Sequence, residues 1–144
     1  MNKKGDTAVK KKVIIGIAAL AALTVVWCVI PHPLVGSSYQ LDYVEYQGET
    51  IHFHDDSSRA EREEIEALLR TYQRGAVPRR VPWGGYGSLC LTGGDGRRPL
   101  HIVLNDGGNG GKPCFVIYSS AEKGGYPIRN GEELLKELLT MLGE

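Results

Sequence analysis

The run His52-Phe53-His54-Asp55-Asp56 puts two imidazoles and two carboxylates into five consecutive positions. Side chains alternate across a strand, so His52 and His54 point to one side, and Asp55 lies close by. Imidazole nitrogens and a carboxylate oxygen are the ligand types that hold zinc and related ions. His101, in another stretch read as a strand, is a candidate third ligand. The competing reading makes these solvated polar positions, with Asp56 or its neighbours capping the helix that follows. Two histidines without a fixed third ligand do not define a site. His52, His54 and His101 therefore stand as metal candidates only, and no cofactor is assigned.

The other motifs are turned aside more directly. DGGNGGKP, residues 106–113, has the glycines of a phosphate-binding loop. That loop needs a glycine five residues before its Gly-Lys pair, a Ser or Thr after it, and a helix beyond. Asp106 and Pro113 hold those two places, and the next segment reads as a strand. Ser88, in GYGSL, does not match the nucleophile elbow. Cys90 and Cys114 alternate with apolar residues and have no base beside them in sequence, as buried structural thiols do. An exported domain would permit a Cys90–Cys114 disulfide; against it, a third strand separates them in a simple meander, with Cα atoms about 9 to 10 Å apart where a disulfide reaches about 7 Å. Glu63 and Glu64 fall on the charged face of a helix, where solvation accounts for them. No catalytic set emerges, so the chain is read as a non-enzyme, the alternative being a hydrolase whose site assembles only in three dimensions.

One surface cluster remains. Arg74, Arg79, Arg80 and Trp83 put several guanidinium groups beside an indole within ten residues of a connector rich in proline and glycine. Arginine and tryptophan are enriched where binding energy concentrates at interfaces. Arg79, Arg80 and Trp83 are the partner-binding candidates; the plainer alternative is that Trp83 covers a sheet edge and the arginines are simply solvated.

The elements that position these residues follow from periodicity. Tyr39, Leu41 and Tyr43 alternate with polar neighbours, as do Ile51 and Phe53, giving two strands joined by a turn at Gln47 and Gly48. Ile65, Leu68, Leu69 and Tyr72 form one stripe at helical spacing, with Ser58 and Glu61 at capping-box distance and Gly75 as the expected terminator. Three more strands are expected near 86–92, 99–105 and 113–119, with GGDG (93–96) and GGNGG (107–111) as turns. Leu134, Leu135, Leu138, Leu139 and Leu142 line a closing helix whose expected cap is Asn130 with Glu133. The order ββαβββα makes a two-layer α+β domain: an antiparallel sheet of about five strands, two helices on one face and the other face wet.

Ahead of this domain lie 18 uncharged residues, Val13 to Ile30, with Thr24 the one polar side chain among them. As a helix they span roughly 27 Å against a hydrocarbon core of about 30 Å. A cleavable signal has a shorter apolar region, about 7 to 15 residues. A soluble core helix of this kind would need apolar neighbours on every side. The expectation is a retained single-pass anchor. Five lysines and one aspartate give residues 1–12 a net +4, whereas the 12 basic and 16 acidic residues after them sum to −4. Positive residues stay inside, so the expected order is a cytoplasmic basic segment (1–12), a transmembrane helix (13–30), a linker (31–38) and an extracytoplasmic domain (39–144). A mildly acidic exported domain excludes an electrostatic case for nucleic acid. The layout is similar to that of small, N-terminally anchored bacterial envelope proteins, a likeness of architecture that carries over no functional residue. The functional expectation is a non-catalytic interaction module of the cell envelope that binds the bilayer through 13–30 and a protein or envelope component through its domain. A small-ligand or metal-binding envelope protein is the alternative.

Overall fold

The structure is a computed structural model that describes residues 3–53, 58–80, 89–96, 98–105, 114–118 and 124–143. It separates into two compact units, residues 1–30 and 31–144. The first is one helix, α1 (Lys3–Val29), long and apolar enough over Lys12–Val29 to cross a membrane. Every side chain from Lys12 to Ile30 is exposed. Thr24 donates its hydroxyl to the carbonyl of Leu20 at 2.8 Å, so the one polar side chain of the run is satisfied on the helix itself.

The second unit is α+β. Its sheet is antiparallel, in the order β3 (Glu49–His52), β2 (Tyr39–Tyr46), β5 (Leu89–Asp95), β6 (Arg98–Leu104), β7 (Phe115–Tyr118), β8 (Tyr126–Pro127). The strands β1 (His32–Pro33) and β4 (Gln73–Arg74) form a separate antiparallel pair. Helices α2 (Arg59–Thr71) and α3 (Gly131–Met141) pack on one side of the main sheet. Ile65, Leu69, Leu134, Leu135 and Leu138 share a single core with Tyr39, Leu41, Val44, Leu89, Leu91, Leu100, Ile102 and Val116. The expected strands are thus present, and β8 adds a sixth to the sheet.

The departures from expectation have local causes. Gln47 and Gly48 do make the first turn, both at positive φ (51° and 87°), the signature of a two-residue hairpin loop whose twist matches the strands. In β2 the alternation breaks at a bulge. Leu41 pairs with Gly93 but Tyr43 with Thr92, so Asp42 is the extra residue and Val44 rather than Tyr43 turns inward. Of GGDG only Gly96, at φ 65°, lies in a turn; Gly93, Gly94 and Asp95 continue β5. A Cβ on Gly93 would meet the Gln40 carbonyl and, at 2.7 Å, the Tyr39 hydroxyl, so glycine serves close packing there. Gly75 does not end α2. The helix stops at Thr71, Tyr72 is extended, and Gln73 and Arg74 pair with Pro33 and His32. Neither Ser58 nor Asn130 makes the expected side-chain capping hydrogen bond, and Asn130 is left-handed with φ 54°.

The stretch 31–38, expected as a linker, belongs to the globular unit. Leu34 is 0% and Val35 4% exposed in the core, and Leu34 donates its N–H to the Tyr72 carbonyl at 2.9 Å. Ser38 hydrogen-bonds the Asp95 carboxylate at the end of β5.

Candidate functional site

Strand register decides what the outer face of the sheet can do. One row across it reads His52, Tyr43, Thr92, His101, Ile117, each the cross-strand partner of the next. His52 and Tyr43 are in ring contact, with centroids 5.6 Å apart, and Thr92 Oγ1 lies 3.1 Å from His101 Nδ1. His52 and His101 are therefore three strand spacings apart, about 14 Å. Ligands to one ion sit about 2 Å from it, so these two cannot share a metal. His54 lies outside the described residues. Among the described residues no group of three or more His, Cys, Asp or Glu converges on a metal-sized space.

A second row on that face runs Thr50, Glu45, Cys90, Val103, Phe115. Phe115 is buried although it is not part of the helix-side core, so the outer face is not uniformly wet as expected. Cys90 belongs to this outer row, whereas Cys114 is buried in the core and brings its Sγ to 3.8 Å from the Asn105 carbonyl. The two cysteines are not joined in a disulfide and lie on opposite sides of the sheet, with β6 between β5 and β7. Burial pushes the Cys114 thiol above its ordinary pKa, which keeps it protonated and a poor nucleophile.

The carboxylates divide into surface and structure. Glu63 pairs with Arg59 at 2.9 Å in full exposure, and the hydrogen bond from that guanidinium holds its carboxyl below the usual range. Glu66, which sequence reasoning missed, is 7% exposed and accepts the Leu41 N–H at 2.9 Å, at the sheet bulge. Arg70 flanks it at 3.1 Å and also donates to the Tyr39 carbonyl, while Arg62 reaches the Phe53 carbonyl. This is a clamp of helix to sheet.

A cleft of about 380 Å³ opens where the end of α2 meets the start of α3, lined by Tyr72, Gln73, Arg129, Asn130, Glu133 and Glu137 among others. Burial, the charges of Glu137 and Glu133, and a hydrogen bond to Glu137 all raise the Tyr72 hydroxyl's pKa. A protonated phenol tied to a carboxylate offers no base or nucleophile at neutral pH.

The connector carries the remaining candidates. Residues 73–79 run antiparallel to 125–129. Arg129 N–H meets the Gln73 carbonyl at 2.9 Å, Gly75 N–H meets Pro127 at 2.8 Å, and Arg79 bonds Gly125 in both directions at 2.8 and 2.9 Å. The Arg74 guanidinium lies 4.3 Å over the Tyr126 ring. With the Arg79 backbone so held, Arg79 and its neighbour Arg80 present exposed side chains. Trp83 lies outside the described residues, as do Ser88 and residues 106–113. Comparison of the chain with protein-family models, with curated proteins and with solved structures finds no match.

Proposed function

We propose that this protein is a single-pass, membrane-anchored interaction module of the cell envelope, non-catalytic, with residues 1–12 cytoplasmic and the α+β unit outside. The observation that carries the reading is the contrast between the two units. The apolar helix exposes every side chain from Lys12 to Ile30, whereas the globular unit closes its core from Leu34 onward without it. Leaving that much hydrocarbon in water is costly, at about 25 cal/mol for each Å². A bilayer removes the cost, and the helix satisfies its own polar groups, as lipid requires. The lysine-rich start supports the orientation. Arg79, exposed on a backbone hydrogen-bonded to Gly125, and the exposed Arg80 beside it are the surface offered to a protein or envelope component.

Carbonate extraction combined with external protease on intact cells tests the placement. The reading requires full-length chain in the membrane pellet and loss of the globular unit to protease added outside. Full-length chain in the soluble cytosolic fraction would end it.

A further inference from the structure

The tether between the two units is short, and the segment it reaches is basic. His32 lies two residues beyond Ile30, so the chain allows at most about 7 Å between their Cα atoms. Arg74 is the cross-strand partner of His32, adding about 5 Å. The two-residue tether and the β1–β4 pairing together thus keep the Arg74 backbone within about 12 Å of the end of the apolar run. A bilayer's headgroup layer is itself about 5 to 8 Å deep on each side. Arg79 follows within at most about 17 Å of Arg74 along the same ribbon.

The composition of that ribbon is distinctive. From Ala67 to Gly94 the sequence has four arginines and no Asp or Glu, within a globular part that is otherwise net acidic. Among the described residues Arg79, Arg80 and Arg129 form no ion pair. Val77, between Arg74 and Arg79, is 55% exposed, one of two large apolar side chains so exposed among the described residues of the globular unit. Among the described residues, the acids nearest this ribbon, Glu133 and Glu137, lie on α3 beside Arg129, at the far end of the ribbon from Arg79 and Arg80.

We infer that the ribbon 74–80 docks on the anionic phospholipid headgroups of the bilayer that holds α1. Arg79 and Arg80 meet lipid phosphates, and Val77 enters the interface between them. This inference rests on the membrane reading above and names the envelope component that the Arg79–Arg80 surface takes. Guanidinium groups match phosphate oxygens in charge and geometry.

The test uses the full chain in lipid nanodiscs, either pure phosphatidylcholine or phosphatidylcholine with one quarter phosphatidylglycerol. Phenylglyoxal modifies accessible guanidinium groups, and mass spectrometry reads the rate at each arginine, with exposed Arg98 on β6 as the internal reference. Attraction to an anionic surface corresponds to about fivefold in binding per arginine. Arg79 and Arg80 should therefore react about tenfold more slowly in the anionic discs, with Arg98 little changed and 0.5 M salt abolishing the difference. If the chain enters the discs and Arg79 and Arg80 react alike in both lipids, the docking is overturned while the anchor stands. If the chain does not enter discs at all, the anchor reading fails and the docking with it. Protection in native membranes but not in anionic discs would assign the ribbon to a protein and also overturn the proposal.

Discussion

Tyr39 carries a phenol into the core, and its Oη has no hydrogen-bond partner among the described residues. Burial pushes its pKa far above the ordinary value, and the negative charges of Glu66 and Asp42 push the same way. The folded state therefore holds this proton more tightly than the unfolded chain does. Stability is fully present below the unfolded pKa of about 10 and declines as pH rises above it. Tyr39→Phe removes both the unpartnered hydroxyl and the titration. It should add on the order of 1 kcal/mol at neutral pH and shrink the loss between pH 9 and pH 11, read by urea denaturation at each pH. An alkaline loss as large as in the parent protein would assign that loss to another group. Sequence could mark Tyr39 as inward, since strand alternation is a local signal. It could not mark Gly93 as the residue its ring lies on, because a glycine in GGDG reads equally as turn or as packing, and only the neighbouring strand chooses.

Between elements, the same limit has a different cause. YQLDYVEY fits two registers, one with Tyr43 inward and one with Val44, because both residues are apolar and adjacent. The bulge at Asp42 selects the second, and it also leaves the Leu41 N–H directed at α2, where Glu66 accepts it. Helical periodicity made α2 and α3 legible down to their buried stripes. The Glu66 contact was not, for its partner is a backbone donor 25 residues away that leaves no mark in the side-chain pattern. Losing that acceptor orphans a buried N–H and unbalances Arg70 and Arg62, and Arg70 is solvated enough to soften the second effect. Glu66→Ala should cost about 2 kcal/mol in urea denaturation. Glu66→Gln, which keeps an oxygen for Leu41, should lose less than half of that. Equal losses would mean that the charge, and not the hydrogen bond, holds the helix on the sheet.

At the scale of the whole chain the decisive boundary lies between Ile30 and Pro31, eight residues earlier than the proline, glycine and serine content of 31–38 suggests. A linker and a tightly bound entry segment share that composition; what separates them is the Leu34-Val35 dipeptide, which has somewhere to go only once α2, β4 and β5 are assembled. Two fully buried aliphatic side chains contribute about 3 to 5 kcal/mol. A domain of this size has only about 5 to 15 kcal/mol in total. A chain beginning at Pro31 keeps both, along with the β1–β4 pair, and should unfold in one transition at the temperature of the globular unit in the full-length protein. A chain beginning at Ser37 loses all three, and its Tm should fall by about 15 °C or more. Differential scanning calorimetry of the two truncations settles the point. Equal midpoints would return 31–38 to the status of a linker and lengthen the tether that holds the basic ribbon near the membrane, so the same measurement bears on the docking of Arg79 and Arg80.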